Sequence, residues 1–250
     1  MVTIKSPDEI KKMRVAGQAV AQIIAEMAAI TAPGVKTIEL DRLAEKRCKE
    51  LGVVPAFKGY RGFPGCVCIS VNDEVVHGIP SAKKTLKSGD LVGIDFGVIA
   101  DGWYGDSART VIVGGKTTSK AEELVKNTEK ALHLGIQECR PGNHLYDIGF
   151  AIQNYVEGFG YGVVKEFVGH GIGRSLHEDP QVPNYGLKGK GLTLKVGMVL
   201  AIEPMINAGK PEVAILDDGW TAVTRDGSLS AHFEHTVAIL EHGPEILTLV

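Results

Sequence analysis

The chain has 250 residues, 44% of them hydrophobic and 23% charged, with a formal net charge of −3. This length suits one large domain, or two fused halves of about 120 residues each, with a core that needs no covalent staples. The charge balance gives no footing for nucleic acid or an anionic membrane as a partner. The N-terminus, MVTIKSPDEI, has no apolar stretch of signal type, and residues 15–32 are interrupted by Gln18, Gln22 and Glu26. That segment reads as an amphipathic helix rather than a membrane span. Without an export signal, Cys48, Cys66, Cys68 and Cys139 are expected to be reduced thiols in the cytoplasm. Cys66 and Cys68 have no second pair to complete a thiolate zinc site.

In chain order, Ser6-Pro7-Asp8-Glu9 is a helix start, with an N-cap, a proline in the first turn and a glutamate three residues on. Ile10, Met13, Ala16, Val20, Ile23, Ile24 and Met27 then recur at helical period, and Pro33-Gly34 stops the run. A second helix is predicted from about Thr37 to Leu51, ending at Gly52. The plan returns later: Ser119 and Glu122 start a helix carrying Leu124, Val125, Ala131, Leu132 and Ile136. Pro141-Gly142 ends it, and a shorter helix runs from about Leu145 to Gly158. A shift of 108 residues places Pro33 on Pro141, Gly34 on Gly142, Leu40 on Ile148 and Gly52 on Gly160 without a gap. Two related halves, about 1–113 and 114–250, are therefore expected within a single domain.

The other segments are strand-like. Leu91–Ile99 and Trp103–Val113 flank Asp101-Gly102, a strong hairpin signal. Lys195–Met205 and His235–Leu240 read as further buried strands. Paired helices with antiparallel hairpins make an α+β layer structure, and two such halves leave a cleft between them.

Carboxylates stand in that apolar frame. Asp95 lies in LVGIDFGV and Asp106 across the hairpin. A turn at Asp101-Gly102 sets Asp95 opposite Ala108, and a turn at Ala100-Asp101 sets it opposite Asp106. Either register puts both acids on one face, roughly 5–8 Å apart. One reading has an Asp paired with Arg109; the other has a cation compensating both. Glu203 in VLAIEPM, Glu234 in AHFEHTVAIL and His170 in the glycine-rich VGHGIGR repeat the pattern. An oxygen-rich set with one imidazole suits Mn, Fe, Co or Zn, and four carboxylates exceed the needs of one ion. A two-ion site can hold hydroxide at neutral pH and polarise a carbonyl, which is hydrolytic chemistry. His77 (EVVHGIP) and His177 (RSLHEDP) could donate hydrogen bonds beside such a centre. His133, His144, His232, His235 and His242 are expected in surface or structural roles.

On NDEVVHGIP, DFGVIADGWYGDSART, GHGIGRSLHEDP, AIEPM, DDGWTAVT and AHFEHT, the chain resembles type I methionine aminopeptidases of bacterial form over essentially its full length. The resemblance implies the pseudo-two-fold "pita-bread" fold, with antiparallel sheets covered by two helix pairs. It implies two divalent ions held by Asp95, Asp106, His170, Glu203 and Glu234, of which Asp106 and Glu234 bridge. It makes His77 the contact to the scissile amide nitrogen, His177 the contact to the carbonyl oxygen, and Glu203 the proton shuttle. Tyr60, Phe63, Cys68 and Trp220 match the methionine pocket, with Leu176 where relatives often carry Phe; a thioether suits such rings. Asn72 and Ser230 match positions where some relatives bind a monovalent cation. The implied reaction has a metal-bridged hydroxide attack the Met–Xaa carbonyl of nascent chains at the ribosome when Xaa is small. A cytoplasmic monomer without the zinc-binding extension of eukaryotic relatives is the corresponding expectation.

Overall fold

The computed structural model describes residues 2–249. The first helix forms as its sequence dictates: α1 (Pro7–Ile30) starts on a complete capping box between Ser6 and Glu9, and its seven apolar-stripe residues are all buried. α2 (Thr37–Leu51) ends on Gly52 in the left-handed conformation, where a residue without Cβ is least strained. α3 (Ser119–Gln137) is capped one residue earlier than expected, because Thr118 rather than Ser119 accepts the Ala121 N–H. α4 (Leu145–Glu157) completes the second helix pair.

The strands in chain order are β1 (Val54–Pro55), β2 (Cys68–Val71), β3 (Glu74–Val76), β4 (Leu91–Ala100), β5 (Trp103–Ile112), β6 (Gly162–Val163), β7 (Gly169–Gly171) and β8 (Glu178–Val182). After these come β9 (Val199–Ile202), β10 (Met205–Asn207), β11 (Val213–Ile215), β12 (Ala222–Thr224), β13 (Ser230–His232), β14 (Glu234–Leu240) and β15 (Gly243–Ile246). The main sheet runs β1-β4-β5-β14-β9-β7-β8, with β2 added on β4 and β15 on β14. Two three-stranded sheets, β13-β10-β6 and β11-β12-β3, flank it. Every pairing is antiparallel.

The β4–β5 hairpin turns at Asp101-Gly102, both at positive φ (48° and 74°), and sets Asp95 opposite Ala108. Of the two registers open from sequence, the first is therefore the one formed. The run expected as one strand over Lys195–Met205 is instead broken. Gly197, at φ 88°, lies in the turn before β9, and Glu203-Pro204 separates β9 from β10. Proline has no N–H to give the ladder and restricts the residue before it, so the strand cannot run through.

α1 lies on β4 and β5, close enough that a Cβ at Gly105 would sit 2.8 Å from the Ala16 backbone. One apolar core joins α1 and α2 to β2 and β4, and another joins α3 and α4 to β9 and β14. The 108-residue shift extends beyond the helices. The Gly34 N–H donates to the Leu86 carbonyl and the Gly142 N–H to the Leu194 carbonyl. Isolated bridges join Lys36 to Thr85 and His144 to Thr193. The same shift carries Leu91-Val-Gly-Ile-Asp95 onto Val199-Leu-Ala-Ile-Glu203, so β4 and β9 occupy equivalent places. Among the described residues, no helix is long and apolar enough to cross a membrane.

Candidate metal centre

Pairing register alone brings the chemistry to one face. Cys68 pairs with Asp95, Asp95 with Ala108, and Ala108 with Glu234. Further along, Thr236 pairs with Ala201, and Ala201 with His170. Directly opposed residues share a face and every second residue returns to it. Cys68, Asp95, Asp106, Glu234 and His170 therefore project together. Glu203 follows Ala201 by two positions, just past the end of β9. Arg109 pairs with Ile94 and so points to the opposite face, where it is exposed beside His133 and His235. The ion pair of a site Asp with Arg109, one of the two readings from sequence, does not form.

Asp106, His170 and Glu234 are buried, with relative exposures of 4%, 6% and 2%. One ligand atom from each lies within 4.8 Å of the others. His170 Nε2 stands 3.9 Å from Asp106 Oδ2 and 3.5 Å from Glu203 Oε1. The His170 Nδ1–H donates to the Gly171 carbonyl at 2.9 Å, leaving Nε2 free to face the carboxylates. Glu203 is set by its main chain, whose carbonyl accepts from Asn184 Nδ2 at 3.0 Å.

The cluster is electrostatically incomplete as protein alone. Asp106 Oδ1 and Glu234 Oε1 are buried without a hydrogen-bond partner. Burial pushes the Asp95 carboxyl up to about 7. Burial, then repulsion from neighbouring acids, pushes Asp106, Glu203 and Glu234 well above the usual range. Burial holds His170 down at about 3, so its imidazole is neutral and able to ligate. Orphaned carboxylate oxygens, crowded acids and a neutral imidazole with its far nitrogen anchored are what a divalent cation requires. The residues fit a metal, and Asp106, His170 and Glu234 form a binding triad consistent with a two-ion centre.

A cavity of about 340 Å³ opens onto this triad. Phe57, Phe63, Cys68 and Leu176 form a buried apolar cluster in its wall, with Tyr60 and Trp220 packed against it. The Phe63 and Trp220 rings meet edge to face at 5.2 Å. Burial raises the Cys68 thiol well above its ordinary value, as does the nearby Asp95, so it presents a neutral sulfur. The four cysteines are all free and buried. His77 and His177 also line the cavity. His77 adopts φ 61°, uncommon for a non-glycine residue, and its ring meets Phe167 edge-on at 5.2 Å. The Tyr60 hydroxyl lies 2.8 Å from His177 Nδ1, and the two rings stack. Burial lowers His77, and holds His177 near 4 with help from Arg61, so both are neutral.

All the residues singled out from sequence for the metal set, the two histidine contacts and the pocket thus border one cavity. One residue behind that lining was not singled out for the site. His232 is 3% exposed, and its Nε2 lies 3.9 Å from Glu203 Oε2. The period-two spacing of His232 and Glu234 was the available hint. Asn72 and Ser230 are joined by the Ser230 N–H donating to the Asn72 carbonyl at 2.9 Å.

Fold and site together define a metal-dependent hydrolase on a pseudo-symmetric α+β scaffold. The profile of metallopeptidase family M24 matches residues 11–241. The chain is 50% identical over 249 residues to the methionine aminopeptidase of Clostridium acetobutylicum, covering 100% of this chain and 99% of that one. It is 51% identical over 250 residues to methionine aminopeptidase 1 of Bacillus subtilis, covering both completely. The crystal structure of methionine aminopeptidase from Thermotoga maritima superposes with a TM-score of 0.98 at 49% identity over the full length of both chains. The chain belongs to metallopeptidase family M24, with the pita-bread fold, as a bacterial-type methionine aminopeptidase.

Proposed function

We propose that this enzyme removes the N-terminal methionine from newly made proteins whose second residue is small. The observation that carries the reading is a single cavity with two unlike walls. One wall is the carboxylate–imidazole cluster, and the other is the ring- and sulfur-lined surface of Tyr60, Phe63, Cys68, Leu176 and Trp220. A methionine side chain fits the second wall, because a thioether makes favourable contacts with ring edges. Its scissile peptide then lies against the first.

In this reading Asp95, Asp106, His170, Glu203 and Glu234 would hold two divalent ions drawn from Co, Mn, Fe and Zn. When bound, such ions polarise the carbonyl and bring the pKa of water toward neutrality. The protein's own groups do the rest. His177 is held at Nδ1 by Tyr60, so its Nε2 is free to meet the substrate carbonyl oxygen. His77, buried and neutral, contacts the scissile amide nitrogen. Glu203, at the open end of β9, takes the proton from the attacking water and passes it to the leaving amine. Atoms balance as water adding across the Met–Xaa bond to give free methionine and a new amino terminus.

We further read residues 1–250 as a single catalytic domain of two related halves, about 1–113 and 114–250. It would act as a cytoplasmic monomer on nascent chains at the ribosome. Asn72 and Ser230 would contribute to a monovalent-cation site. The deciding experiment is hydrolysis of Met-Ala-Ser and Met-Leu-Ser by metal-stripped protein, before and after adding Mn, Fe, Co or Zn. Metal-restored cleavage of Met-Ala-Ser alone is expected. No cleavage with any metal, or equal cleavage of both peptides, would overturn the reading.

A further inference from the structure

One imidazole next to the centre has no part in the reaction above. His232 ends β13, and its main chain is clamped twice by Thr110. Its N–H donates to Thr110 Oγ1 at 2.9 Å, and its carbonyl accepts from the same hydroxyl at 2.8 Å. Those bonds hold the backbone and leave the ring unexplained. His232 Nε2 is buried and has no hydrogen-bond partner. The nearest carboxylate is that of Glu203, whose Oε2 lies 3.9 Å away while its Oε1 lies 3.5 Å from His170 Nε2. Glu203 is thus bracketed by two imidazoles, one belonging to the triad and one behind it. His232 is not among the residues lining the cavity, so it does not touch substrate.

A buried ring nitrogen without a partner is costly, and a small rotation of either side chain would close the gap to hydrogen-bond length. We infer that His232 is a positioning residue: its Nε2–H donates to Glu203 Oε2 and so presents Oε1 beside His170. This rests on the reading of Glu203 as metal ligand and proton carrier. Partners that orient a ligating side chain typically change metal affinity or activity by about 10–100-fold when removed.

The test uses the full chain, stripped of metal and titrated calorimetrically with Zn²⁺, as wild type, His232→Leu and His232→Gln, with melting curves for each. Turnover of Met-Ala-Ser is measured in parallel. His232→Leu, similar in bulk but without a donor, should weaken one Zn²⁺-binding step by roughly 10–100-fold. Its kcat should fall while KM stays within about twofold of wild type, because the methionine wall is untouched. His232→Gln keeps a donor at a similar reach and should recover binding to within about threefold, by the same argument. Equal impairment of both variants, or wild-type Zn²⁺ binding by His232→Leu, would overturn the proposal. If His232→Leu does not fold, ¹⁵N-histidine spectra of the wild type decide, with the His232 signal assigned against His232→Gln. A proton on Nε2 whose resonance shifts with Zn²⁺ supports the role, and a bare Nε2 overturns it. A wild type that binds no Zn²⁺ and cleaves no peptide would instead defeat the functional reading on which this one stands.

Discussion

Asp106→Asn should reverse the stability ranking of variant and wild type between the metal-free and metal-loaded states. In the metal-free protein, burial pushes Asp95 up to about 7 from 3.8, and Asp106, Glu203 and Glu234 well above their usual range. A carboxyl whose folded pKa is raised keeps its proton while the unfolded chain has lost it. Its contribution therefore falls as pH rises, over about 4 to 7 for Asp95, by about 1.4 kcal/mol per pH unit for each retained proton. Removing Asp106 deletes one such group and lightens the repulsion on the others. Over one to two pH units that is on the order of 2 kcal/mol, or roughly 4–8 °C in Tm for a chain of this size. At pH 7.5 the metal-stripped variant should melt above the metal-stripped wild type, and near pH 4.5 the gap should shrink. Loading changes the sign. At a hundredfold excess of metal over Kd the wild type gains about 2.7 kcal/mol, whereas the variant lacks one carboxylate of the triad and gains little. Calorimetric melting of chelated and Mn-loaded proteins at the two pH values reads all four quantities. A metal-stripped variant that melts below the stripped wild type at pH 7.5 would refute the claim that the acids repel one another in the absence of cations.

His77→Ala and His177→Ala should each cut kcat by roughly 10²-fold, the scale of losing one donor to a developing charge, with metal content unchanged by elemental analysis. Loss of bound metal from either would place that histidine among the ligands instead. Leu176→Ala empties a fully packed position in the pocket wall. It should cost about 2–5 kcal/mol in stability. It should also raise kcat/KM for Phe-Ala-Ser relative to Met-Ala-Ser, and an unchanged ratio would show that Leu176 does not bound the methionine side chain.

The helices were legible because their signals are local. Capping residues, the apolar stripe of α1 and the Gly52 terminator each act within a few positions. The acids of the β4–β5 hairpin were legible as a pair but not in register, since neighbouring two-residue turns put them on the same face. The break at Glu203-Pro204 is hidden in the hydropathy, because the apolar run continues across the proline and a missing N–H leaves no mark on it. His232 lay beyond reach for a different reason. Its neighbour Glu203 is 29 residues away in sequence and meets it only through the β10–β13 pairing. Contacts made by sheet topology leave little trace in local pattern.

The equivalence of Asp95 and Glu203 under the 108-residue shift means that two copies of one motif bring an acid to the same cavity. A perfectly symmetric centre would give both acids one job. Here the symmetry is broken by the next residue: Phe96 continues its strand, whereas Pro204 ends the other. Asp95 is thereby fixed in a ladder bonded on both flanks, and Glu203 stands just past a strand end, outside the ladder. In the proposed reaction, the division of labour between holding a cation and carrying a proton would thus follow from a single imino acid placed in only one of two duplicated strands.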